Sequence, residues 1–154
     1  MRTGLLIAAL VVATSSDAQT IDWQRYAANG GSVTVDFPTD VFRVDKGSSS
    51  IGSGRIFANS DGTANLTVYT LENRNRYSPA QFLRSHFRPP SDVSVTYRYA
   101  NSRVLALSGY RGTSIWYSRC NFGGGTIRCV GLDYPRAEKR QWDAIVTRIS
   151  NSLS

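Results

Sequence analysis

The chain has 154 residues, with 18 basic and 11 acidic side chains, a single histidine and a formal charge of +7. Its 41% hydrophobic and 19% charged content is too apolar for a disordered chain, and two cysteines are too few for a disulfide-dense mini-protein. The length suits one domain that buries roughly two thirds of its unfolded surface, and it leaves no room for a large two-domain enzyme.

The first predicted element is an export signal. Met1-Arg2-Thr3-Gly4 is a basic start, Leu5 to Ala13 an apolar run, and Ser16 and Ala18 form a small-x-small exit. The apolar run crosses only about half of a bilayer's hydrocarbon core, so no membrane span is expected. Residues 1–18 thus read as a signal peptide and 19–154 as a single α+β domain, periplasmic or secreted. Cleavage removes Arg2 and Asp17, one charge of each sign, and leaves +7. An exported chain is not expected to meet nucleic acid. Of the 18 basic residues only Lys46 and Lys139 are lysine. The arginine excess fits an anionic envelope polymer or an acidic protein as partner. It fits the codon usage of a GC-rich genome equally well.

Val33, Val35 and Phe37 alternate with polar residues, the period of a half-buried strand, and Pro38 ends it. Gly47 to Gly54 is rich in glycine and serine and reads as a flexible loop. Asp61-Gly62 separates Arg55–Ser60 from Thr63–Leu71, a hairpin signal that sets Phe57 opposite Leu66. The same turn accounts for Asp61 without chemistry.

Ser78-Pro79-Ala80-Gln81 opens a helix, with Ser78 as N-cap and Gln81 completing a capping box. Phe82, Leu83, His86 and Phe87 share one side and Arg84 and Arg88 the other, before Pro89-Pro90 forces the chain out. From Val93 to Tyr134 the alternation breaks only at Asn101-Ser102, Arg111-Gly112 and Gly123-Gly124-Gly125, giving a meander of four strands. After Pro135, the helical spacing of Trp142, Ile145, Val146, Ile149 and Leu153 predicts a last helix, with Glu138 in its first turn and Arg148 in its last. The expected fold class is α+β, an antiparallel β-sheet flanked by helices.

If the last hairpin turns on Gly124-Gly125, opposed residue numbers sum to 249 and Cys120 faces Cys129. Opposed side chains share a face with Cβ atoms ~4.5–5.5 Å apart, within reach of a disulfide. Cys-x8-Cys is not a dithiol redox spacing, and no second pair supplies a metal site. A structural disulfide between Cys120 and Cys129 is therefore expected, and neither metal nor cofactor.

No catalytic residue stands out. His86 is the only imidazole and falls between Phe82 and Leu83, the place of a core or rim histidine. Ser108-Gly109 lacks the Gly-x-Ser-x-Gly elbow, and Gly123 to Gly125 has no Lys-Ser/Thr after it. Asp133 projects from a strand face, whereas Asp36, Asp40 and Asp92 read as surface or turn residues. The binding candidate is a basic ridge: Arg74 and Arg76 before the first helix, Arg84 and Arg88 on its outer side. Four guanidinium groups on one edge would hold an anionic polymer or an acidic protein.

The segment from Tyr26 to Phe42, with Asn29, a short strand and Pro38 before an aromatic, resembles the opening of PsbP-like domains. Asp61-Gly62, Val95-Thr96-Tyr97, Leu107-Ser108-Gly109-Tyr110, Trp116-Tyr117 and the closing helix fit the same plan. The resemblance implies an α/β/α sandwich. Members include an extrinsic subunit of photosystem II and a Ran-GTPase-binding import factor, so it also implies accessory binding. No functional residue carries over, because the histidine-rich metal positions are missing here. The expectation is an exported accessory or binding domain acting through its surface without a catalytic centre. The alternative is a small hydrolase of an envelope polymer, using carboxylates that the sequence does not pair. Two carboxyls within reach in a pocket would favour hydrolysis, and an arginine-lined face would favour binding.

Overall fold

The structure is a computed structural model that describes residues 20–154, so the expected signal peptide, residues 1–18, lies outside the described residues. The strands are β1 (Trp23–Ala28), β2 (Val33–Pro38), β3 (Val44–Ser48), β4 (Ser53–Ala58), β5 (Asn65–Glu72), β6 (Ser94–Ala100), β7 (Val104–Arg111), β8 (Ser114–Gly123) and β9 (Thr126–Pro135). The helices are α1 (Pro79–Ser85) and α2 (Lys139–Ser152), the second preceded by a 3-10 turn over Arg136–Glu138. Seven strands form one antiparallel sheet in the order β3-β4-β5-β9-β8-β7-β6, and β1 and β2 pair separately as a ribbon.

The meander forms as its alternation predicts. At its last turn the positive φ falls on Gly124, the first central residue, where a type II′ hairpin needs glycine. Cys120 and Cys129 are directly opposed, and their sulfurs are bonded. Phe57 faces Leu66 as expected. Its turn takes another form, because only Gly62 has positive φ, and Asp61 instead accepts from the Thr63 N–H at 3.1 Å and hydroxyl at 2.7 Å.

The strand beginning at Val33 forms as expected and pairs with β1 in a separate ribbon. Two expectations need correction. The glycine- and serine-rich stretch is not merely a loop. It supplies the end of β3 and the start of β4, an edge hairpin tied by the Arg55–Asp45 ion pair at 2.7 Å. Arg148 lies ahead of the last turn of α2, where Nε donates to Asp36 at 3.0 Å and the guanidinium stacks on Trp23. It ties helix to ribbon instead of meeting the helix dipole.

The two faces of the sheet carry separate cores. On one, Leu66, Val68, Val130, Leu132 and Tyr134 pack against α2 through Trp142, Ile145, Val146 and Ile149, and against the ribbon through Val33, Val35 and Phe37. The chain end seals this layer, since Thr34 and Ser154 exchange backbone hydrogen bonds of 2.8 and 3.0 Å. On the other, Tyr69, Leu105, Leu107, Trp116, Ile127 and the cystine pack under Phe82 of α1. Helices on both faces of an antiparallel sheet make an α/β/α sandwich.

Candidate binding cleft

The second face is where side chains are left free to act, and its shape follows from strand register. Thr67 of β5 is paired with Gly131 of β9, and Gly131 with Ser118 of β8. The three small residues make a trough across the sheet. One flanking row is Tyr69, Cys129 and Cys120; the other is Asn65, Asp133 and Trp116.

The walls come from elsewhere. Asn73, 5% exposed, fixes the loop before α1: its amide side chain bonds both the N–H and the carbonyl of Tyr77, and its own N–H reaches Gly125 at 2.7 Å. Ser78 and Gln81 then start α1 with the expected capping box. The helix stops at Ser85, short of the two prolines, with His86 as its C-cap. Phe82, His86, Phe87 and Arg88 thereby line one side of a cleft of about 780 Å³, and Ile51 and Ile56 of the edge hairpin line the other.

Of the charged groups lining the cleft, Glu72, Arg111 and Asp133 are held in ion pairs. Arg111 donates to Asp133 at 2.8 Å and lies 2.9 Å from Asp92, the second contact being out of line for a hydrogen bond. Burial pushes the Asp133 carboxyl above its ordinary range, the Arg111 charge opposes this, and the Asp92 charge adds to it. Glu72 at the rim is held by Arg74 at 2.6 Å. Burial also raises the Tyr69 phenol, against a hydrogen bond with Ser118.

His86 is a rim histidine, exposed, with its ring centroid 4.3 Å from that of Tyr77 and 5.7 Å from that of Phe82. Its Nδ1 sits 2.8 Å from Ser85 Oγ. That hydroxyl donates its hydrogen to the Gln81 carbonyl at 2.7 Å. With that hydrogen on Gln81, the serine oxygen is left to accept from the imidazole, an arrangement unlike a general base drawing a proton from a nucleophile. Asp92 and Asp133 both contact the Arg111 guanidinium, and of the two only Asp133 lines the cleft. Among the described residues no group of three or more His, Cys, Asp or Glu is placed to hold a metal ion. No helix among them is long and apolar enough to cross a membrane.

All four arginines of the predicted ridge are exposed. Arg88 enters the cleft wall and Arg74 adjoins it through Glu72, whereas Arg76 sits in the preceding loop and Arg84 on α1. Sequence reasoning missed Trp116, Phe87 and the Arg111–Asp133 pair as cleft residues. The available signal was the run of small residues in register, but the β5–β9 pairing has no short turn to announce it.

No family model matches the chain, and no curated protein matches it in sequence. Among solved structures it is similar to the solution structure of cyanobacterial PsbP (CyanoP) from Synechocystis sp. PCC 6803. The TM-score is 0.60 at 12% identity, over 93% of this chain and 98% of that one. The chain thus has a PsbP-like fold, and at that identity the likeness extends to the fold alone.

Proposed function

We propose that this protein is an exported binding domain, residues 19–154 after loss of a leader over 1–18, that acts through its surface rather than by catalysis. The observation that carries this reading is the cleft itself. It is concave and lined by aromatic side chains, as ligand sites are, while its histidine and carboxylates are committed to partners within the fold. The cystine suits an oxidising compartment outside the cytosol, and the PsbP-like fold is compatible with an accessory role. The exposed arginines Arg74, Arg76, Arg84 and Arg88 around α1 favour an anionic partner, an envelope polymer or an acidic protein.

The test is retention on heparin at low salt. The wild-type chain is expected to be retained and released by salt, and the Arg84→Ala/Arg88→Ala variant to elute early. Equal retention of the two would remove the anionic partner. The leader is checked by sequencing the N-terminus of exported protein, which should begin at Gln19.

A further inference from the structure

Building on that reading, we propose that the cleft binds a small amphiphile with one anionic head, its apolar body lying in the Thr67–Gly131–Ser118 trough and its head on Arg88. The body is set by shape. Strands lie ~4.8 Å apart, so the three small residues span roughly 10 Å, the length of a short alkyl chain or a fused ring pair. Trp116 and Phe87, with ring centroids 6.4 Å apart, stand beside the trough, and Tyr69 flanks it on the other side. Ile51 at the mouth is 55% exposed, a large apolar residue that the fold leaves without cover.

The head is set by charge. Asp133 is engaged by Arg111 and Glu72 by Arg74. Arg88 takes part in no ion pair among the described residues. It is the cation of the cleft lining left without an ion pair. A neutral amphiphile would leave it unused, and a cationic one would meet it as a like charge.

Gly131 allows the trough to be closed without disturbing the sheet. It lies within β9, and a Cβ there would meet only Thr67 Cβ at 3.9 Å and the Tyr117 carbonyl at 4.0 Å. Octanoate and 1-octanol are the probes, followed through the indole N–H resonances of the mature chain. Trp116 reports the cleft, and Trp23 and Trp142, on the opposite face, serve as controls.

Octanoate is expected to shift the Trp116 resonance saturably and leave the controls still. Arg88→Ala should weaken octanoate by about tenfold and leave octanol unchanged. Gly131→Leu should abolish both, and if it fails to fold, Gly131→Ala should weaken both severalfold. Octanol binding the wild type as tightly as octanoate, or Arg88→Ala leaving octanoate unaffected, overturns the assigned head. Absence of a saturable Trp116 shift overturns the site. None of these outcomes bears on heparin retention, so the broader binding reading stands or falls separately.

Discussion

On one face of the sheet, the 14-residue α2 and the β1–β2 ribbon close a core in which Val33, Val35, Leu66, Val68, Val130 and Ile149 expose nothing. On the other, the seven-residue α1 covers only the part around the cystine. Burial there is complete at Ile127 and Cys129 and fades towards Thr67, Gly131 and Asp133. A helix rises ~1.5 Å per residue, so α2 reaches about twice as far along the sheet as α1. Coverage is decided by how long each amphipathic stretch runs, to Ser85 in α1 and to Ser152 in α2. The strands supply both faces equally, and the uncovered half of one becomes the cleft.

Core truncation should expose the contrast most strongly. Ile149→Ala removes a fully buried side chain from the closed face and is expected to cost about 3 kcal/mol. Leu83→Ala on α1, only half-buried, should cost about 1 kcal/mol. Urea unfolding of both variants measures the difference, and equal losses would show that α1 seals its face as tightly as α2.

The cystine comes next. It closes a loop of about ten residues, so replacing both cysteines by alanine should lower stability by roughly 2.5 kcal/mol. The closed face has no covalent tie among the described residues and relies on packing alone. A loss below about 0.5 kcal/mol, comparable to an ordinary surface substitution, would mean that the glycine turn and the ladder already hold this end of the sheet.

Much of this architecture was readable because it is local. The meander, the Phe57–Leu66 register, the Cys120–Cys129 pairing, the capping box and the apolar stripe of α2 all follow from short-range turn chemistry or periodicity. What escaped was non-local. Trp23–Ala28 has no clean alternation and becomes a strand only because β2 pairs with it. The glycines and serines before Arg55 have weak strand preference, and β3 is held by its partner rather than by its own side chains. The cleft draws on segments separated by dozens of residues. The ridge arginines were visible as charges, but which of them reaches the cleft depends on α1 ending at Ser85.

The finest contrast lies in how one aspartate from each side responds to pH. Asp36 joins the ribbon to α2, and the hydrogen bond from Arg148, with help from Arg25, pulls its carboxyl below the ordinary 3.8. Its stabilising contribution is present above 3.8 and is lost as pH falls through the depressed folded value. Asp133, in the cleft, is shifted the other way by burial. The fold favours its protonated form, so stability falls as pH rises from 3.8 through the raised folded value. Asp36→Asn should therefore lose most near neutrality, its deficit shrinking on acidification. Asp133→Asn should gain ground on the wild type over the same rise in pH, whatever constant offset the altered Arg111 contact adds. Urea unfolding at constant ionic strength from about pH 3 to pH 7 brackets the ordinary carboxylate range and reads the sign of each slope. Two pH slopes of the same sign would mean that the cleft is wet enough to treat its carboxylate as the closed face treats Asp36. The distinction between the faces would then be one of shape alone, without an electrostatic counterpart.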